Sequence, residues 1–318
     1  MTTDDRRLPT NGQRPPPEEP PASGSAWPVA NGRAQAAPPF LAGENPAQER
    51  YHEASELFAL FDYLKAQGFG VFSIRESLQA VGERIDGTLQ GFHLSADEAC
   101  QCIEYMDSLG VGVVELPAYP ANRYGQALNR QLIGGALAAG LAIEFAAHAR
   151  CVAGDIQAAY AAGFRRVHLY IGTSKIKQAT AHKTIAQIAA AAAQSIVHAR
   201  AIGFTSVRIS TEDAFRTTLD DYEAFYTHLA SALGAAGITV DGIGIPDTVG
   251  LSTLRELGDR IAILRRVGLP FRFLECHIHN DIGNADRTYV DTLLLCMRLG
   301  ITMLPDFSIL GIGERNGT

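Results

Sequence analysis

Between residues 71 and 309, short apolar runs alternate with longer amphipathic stretches eight times over. That alternation leaves few folds open. A run of about four to six mostly apolar residues has the length of a strand buried on both faces. A stretch of ten or more with apolar positions every three or four is a helix. Strands separated by such helices run parallel through right-handed crossovers. Eight units in one domain make an α/β TIM (β/α)8 barrel the expected fold, ahead of an open doubly wound sheet. No G-x-G-x-x-G follows the first strand to favour a dinucleotide fold.

The apolar runs predict strands at 71–74, 111–116, 142–147, 167–171, 206–209, 242–245, 271–274 and 302–309. Helices are predicted at about 126–139, 155–162, 184–201, 219–234, 253–267 and 287–299, and another opens on a capping box, Ser95-Ala96-Asp97-Glu98, and stops at Gly110. A further amphipathic helix, 53–67, is expected to cover the bottom of the barrel. Residues 1–48 hold ten of the fifteen prolines, and such a segment cannot bury enough surface to offset chain entropy. It is expected to be a disordered Pro-rich tail, with Trp27 a minor candidate anchor. The remaining 49–318 is the right size for one barrel.

Composition narrows the partners. The net charge is -7 and no basic run occurs, so nucleic acid finds no electrostatic footprint. No stretch reaches ~18 consecutive apolar residues, and the start lacks an apolar signal core, so neither a membrane span nor a leader is expected. Cysteines 100, 102, 151, 276 and 296 form no zinc-type C-x-x-C pair, which fits a reduced, cytoplasmic compartment.

In such a barrel the C-terminal strand ends form one mouth, and chemistry sits there. The residues expected to reach it are Arg75, Glu76, Gln79, Glu115, His148, Arg150, Ser174, Arg208, Ser210, Glu212, Asp247, Thr248, Glu275, His277, His279 and Asn280. Some have bland readings: His148 as a hydrogen-bonded core histidine, Glu115 or Glu212 as a buried partner of an arginine. In a strand, side chains two apart point the same way, so His277 and His279 face one side together. With Glu76 from the first strand they make a two-histidine, one-carboxylate set that leaves coordination positions open. A 2-oxo acid chelated there through its carboxylate and keto oxygens has an electrophilic keto carbon. Arg75 beside it stabilises developing oxyanion charge, while Arg150, Arg208, Ser210 and Thr248 are suited to binding carboxylates. This chemistry is carbon–carbon bond chemistry on a small oxo acid, without a direction.

The motifs also carry a resemblance. Arg75-Glu76-x-x-Gln79, His148-x-Arg150-Cys151, Gly172-Thr173-Ser174, Ser210-x-Glu212-Asp213, Asp247-Thr248-Val249-Gly250, Glu275-x-His277-x-His279-Asn280-Asp281 and Gly311-Ile312-Gly313-Glu314-Arg315-Asn316-Gly317 occur in order. From about 70 to 317 the chain resembles the metal-dependent TIM-barrel acyltransferase and lyase superfamily that includes isopropylmalate synthase, homocitrate synthase and hydroxymethylglutaryl-CoA lyase. Glu76 after Arg75, and Cys276 after Glu275, resemble the homocitrate synthase side. The resemblance implies Claisen-type condensation of acetyl-CoA with a 2-oxo acid, then thioester hydrolysis, in amino-acid biosynthesis. It implies Glu76, His277 and His279 as ligands of a divalent metal (Mg, Mn, Co or Zn) and Arg75 as catalytic. Glu212 becomes a supporting acid/base, and Gln79, His148, Arg150, Arg208, Ser210, Thr248 and Glu275 contact substrate.

Ser77-Leu78, the loop to Ser95 with Arg84 and Asp86, and residues 118–132 depart from the family pattern, so the oxo acid is not specified. The family's eighth helix and C-terminal subdomain, which completes a neighbouring subunit's site in a homodimer, would follow Thr318. The chain is therefore expected to be an incomplete form of such an enzyme. The alternatives are a non-catalytic oxo-acid-binding remnant and a carbon–carbon lyase.

Overall fold

The structure, a computed structural model, describes residues 73–74, 96–118 and 123–307. The expected tail, the helix at 53–67, the capping Ser95, the residues Arg75, Glu76 and Gln79, and the motif at 311–317 lie outside the described residues. Strand–helix alternation is realised throughout the rest. The order is β1 (Ser73–Ile74), α1 (Ala96–Ser108), β2 (Val113–Pro117), α2 (Arg123–Ala138), β3 (Glu144–Arg150), α3 (Ala153–Ala162), β4 (Arg166–Gly172) and α4 (Lys175–Ala181). Then come α5 (Ile185–Ile202), β5 (Ser206–Glu212), α6 (Leu219–Ala236), β6 (Gly242–Asp247), α7 (Leu254–Val267), β7 (Phe273–Ile278), α8 (Ala285–Arg298) and β8 (Met303–Phe307). Each strand pairs in parallel with its sequence neighbours, and β8 pairs with β1, so the sheet is a closed barrel. The expected TIM barrel is what forms.

Register explains the packing. One alternate set of strand side chains is apolar and faces the helices: Val114 and Leu116, Ala147 and Ala149, Val167 and Leu169, Val207 and Ile209, Ile243 and Ile245, Leu274 and Cys276 are all buried. They meet Ile188, Ala192, Ile196 and Ala199 of α5 and Tyr222, Phe225, Tyr226 and Leu229 of α6, among others. The main apolar core is therefore the layer between strands and helices. The small alanines of α5 allow it close approach to the sheet, because less side-chain bulk separates the two surfaces.

The other alternate set points into the barrel. Its upper layers are polar, where barrels of this kind are ordinarily filled with branched aliphatics. Backbone pairing aligns His148, His168 and Arg208 in one row; Tyr170, Ser210, Gly244 and Glu275 in the next; and Pro246, His277 and Asp306 above. Because the apolar runs stop where this polar set begins, the sequence reading ended β3, β5, β6 and β7 early. The strands continue to Arg150, Glu212, Asp247 and Ile278.

Helix boundaries follow local chemistry. Thr184 and Thr253 build capping boxes with Gln187 and Glu256, and Thr218 caps α6 through Asp221 N–H. The short helix α4 was not expected. Ser174 caps it, but none of its residues is buried, so it leaves no apolar periodicity to read.

Candidate active site

The polar layers enclose a cavity of about 240 Å³ at the C-terminal mouth, lined in part by His148, Tyr170, Arg208, Ser210, Glu212, Thr248, Glu275, His277, His279 and Asp306. Six strands, β3 to β8, contribute inward positions, and Thr248 and His279 stand just beyond the ends of β6 and β7. His277 and His279 sit two apart at the end of β7, as alternation requires, with Nε2 atoms 3.3 Å apart and rings nearly perpendicular at 88°. Two imidazoles bound at about 2.0–2.1 Å to one ion have nitrogens roughly 3 to 3.4 Å apart, so this pair fits a shared divalent metal. Asp306 Oδ2 lies 3.5 Å from His277 Nδ1, behind the ring. A carboxylate there orients the imidazole and leaves Nε2 as the lone-pair donor.

Beneath the pair is a buried charge network. Arg208 donates through Nη2 to Glu115 at 3.0 Å and also pairs with Glu275, and Asp306 lies 3.9 Å away. His168 Nδ1 contacts Glu115 and lies 4.0 Å from Glu275. Burial is the main influence on Glu275, raising its carboxyl to about 7; Arg208 and His168 oppose that rise, and Asp306 and Glu115 add to it. Three carboxylates surround one guanidinium, so the floor favours positive charge above it. Glu115, His168 and Glu275 present ligand atoms within 4.8 Å of one another and are a second grouping able to hold a cation. Arg208 already bridges its two carboxylates.

Other side chains shape the wall. His148 stacks on Tyr170, with centroids 4.2 Å apart. Thr248 Oγ1 accepts from the Asp213 backbone N–H at 3.0 Å and lines the cavity. Glu212 is ion-paired with Lys177 at 2.9 Å on the rim. Gly244 lacks a side chain where one would collide: a Cβ would stand 2.8 Å from Arg208 Nη1 and 2.9 Å from Ser210 Oγ.

The structure brings together His148, Arg208, Ser210, Glu212, Thr248, Glu275, His277 and His279. Arg150 stands apart: it forms a two-pronged pair with Asp155 and lines a neighbouring hollow with Lys177 and Glu212. Ser174, Asp247 and Asn280 accept backbone N–H groups of nearby turns or helix starts. His168 and Asp306 were missed because each interrupts an otherwise apolar strand. Counting alternate positions from His148 along the register would have found His168.

A family model described as HMGL-like matches residues 84–318. The chain is 33% identical over 247 residues to the mitochondrial homocitrate synthase of Schizosaccharomyces pombe, covering 77% of this chain and 54% of that protein. It is 31% identical over 234 residues to the 2-isopropylmalate synthase of Bacillus pumilus, covering 71% of this chain and 42% of that one. The chain thus spans about half the length of the curated relatives it matches. Among solved structures, the HMG-CoA lyase of Brucella melitensis superposes with a TM-score of 0.56 at 15% identity, covering 78% of this chain and 86% of the other, a likeness of fold.

Proposed function

The chain belongs to the HMGL-like family, and from that premise we propose that its barrel mouth serves a divalent-metal-dependent, Claisen-type condensation of acetyl-CoA with a 2-oxo acid. The observation that carries the reading is the inward His277–His279 pair, spaced for one ion and backed by Asp306. His277 and His279 would hold the metal, with Glu76 as the third ligand proposed from sequence. When bound, the metal supplies Lewis acidity that polarises a keto group and stabilises charge developing on its oxygen.

The chain's own residues do the rest. Arg208, whose Nη1 stands beside the side-chain-free Gly244, offers a fixed cationic donor to a substrate carboxylate. Its position is set by Glu115 and Glu275, so it need not reorganise as substrate arrives. Ser210 and Thr248 add hydroxyl donors on the same wall. Glu212, held by Lys177 at the rim, is placed to accept or return a proton near the cavity. Arg75 is proposed from sequence as the cation facing the developing alkoxide. The product is a 2-hydroxy di- or tricarboxylate, and five free thiols suit a reducing cytoplasmic setting.

The test is thiol release from acetyl-CoA with a panel of 2-oxo acids, with and without Mg, Mn, Co or Zn. Metal-dependent release with at least one oxo acid is expected. Background rates with every acid and every metal would remove the synthase reading for this chain.

A further inference from the structure

The hollow beside the central cavity has a use that the proposed chemistry leaves open. It holds about 330 Å³ at the ends of β3 and β4, against α4 and α5. Val152, Ile171 and Ile188 give it apolar walls, and Arg150 and Lys183 add positive charge. Of the described residues, Tyr170 and Glu212 alone line both this hollow and the central cavity, so they form the wall between the two. Tyr170 belongs to the inward set of β4, with Arg150 beside it in the register on β3 and Ser210 on β5. Its ring lies nearly parallel to that of His148, at 18° and 4.2 Å between centroids. Such stacking is attractive beyond the area it buries and holds the ring in place. The rest of the wall is ionic. Gly172 has no side chain where the stem of Lys177 lies, since a Cβ would stand 2.6 Å from Lys177 Cγ, and the ammonium meets Glu212 at 2.9 Å.

We propose that Tyr170 determines the length of the oxo acid the site accepts. The inference rests on the proposed oxo-acid site. An acid whose keto end lies at the His277–His279 pair and whose distal carboxylate meets Arg208 and Ser210 stays within the central cavity, since all four residues line it. A longer acid overruns the Ser210 wall, and the side chain beside Ser210 in the register is the Tyr170 ring. Behind that ring the hollow offers what the extra length needs. Its apolar walls suit methylene groups, and Arg150 and Lys183 suit a carboxylate. One methylene too many in a closed pocket costs about tenfold or more. Tyr170 thus confines the protein to short 2-oxo dicarboxylates, and exchanging its ring for a small side chain joins the hollow to the cavity.

The test is calorimetric titration of the manganese-loaded full chain with 2-oxo dicarboxylic acids that carry one to four methylene groups between the carbonyl and the distal carboxyl. Wild type is expected to bind the acids with one or two methylenes at least about tenfold more tightly than those with three or four. Tyr170→Ala should bind the longest acid at least about tenfold more tightly than wild type does, with the shortest changed less than about threefold. Tyr170→Leu guards against poor folding of the alanine protein and should show the same change in smaller measure. Tyr170→Phe keeps the ring and should reproduce the wild-type series. A wild-type series flat in length overturns the inference, as does a wild-type profile in both the alanine and leucine proteins. A uniform loss at every length, or a phenylalanine protein that behaves as the alanine one, overturns it too. The two readings fail separately. Binding that follows this length pattern without thiol release removes the synthase reading and leaves the length rule intact. Thiol release that is indifferent to chain length overturns the rule and leaves the synthase reading, and binding of no acid to any of these proteins overturns the rule.

Discussion

At the scale of single residues, the site is governed by where charge is buried. Arg208 neutralises two glutamates that would otherwise be intolerable inside the barrel, and it does so while 4% exposed. Glu275 records the balance. Its carboxyl stands at about 7 in the folded protein, raised mainly by burial, against an ordinary 4.5 once unfolded. Between those values the folded protein keeps a proton that the unfolded chain has released. Stability from this group is therefore complete below about pH 4.5 and is lost as pH rises through about 7, by roughly 3 kcal/mol at most. Urea midpoints of metal-free protein should show wild type losing stability relative to Glu275→Gln across that window. Parallel pH profiles of the two proteins would mean that Glu275 is ionised throughout. His168 and Asp306 teach a related lesson: a polar residue inside an apolar strand sits on the inward face when the register demands it.

Elements act by presenting these residues at set heights. Strand β6 is the clearest case, since Gly242 and Gly244 leave the interior open beside β5 and β7. Phe273 fills the space over Gly242, whereas Arg208 and Ser210 stand over Gly244. Gly244→Ala should displace the guanidinium, because Arg208 is held from the far side by two carboxylates. The expected outcome is at least a tenfold weaker oxo-acid affinity in calorimetry with metal uptake unchanged; unaltered oxo-acid binding would separate Arg208 from substrate. Gly250 serves the neighbouring loop. Its φ of +67° and the approach of the His279 carbonyl, 2.8 Å from a would-be Cβ, fit the β6 loop against the histidine loop. Helix positions other than that of the short α4 were legible from apolar spacing and caps, but strand ends were not. An apolar-run reading stops where inward residues turn polar, which is where the site begins.

At the scale of the whole molecule, barrel closure assembles the candidate site. Adding Mn or Zn to metal-free protein should raise Tm, since a ligand that binds only the folded state at about 100 times its Kd contributes about 2.7 kcal/mol. His277→Ala should abolish that rise. A full rise in the variant would place the metal elsewhere, with Glu115, His168 and Glu275 the first alternative. No described helix is long and apolar enough to cross a membrane.

The order of the strands and of every described helix but α4, the outward apolar faces and the histidine pair's shared direction were determined by sequence alone, because they rest on local periods of two and of about 3.6 residues. Which polar residues meet was not local. Glu115, His168, Arg208, Glu275 and Asp306 come from five strands, and only closure of the sheet in one register brings their side chains to a common floor. Likewise Arg150 reads as a site residue in sequence, yet Asp155, five positions along on α3, takes its guanidinium, and among the described residues Arg208 is the arginine that lines the central cavity.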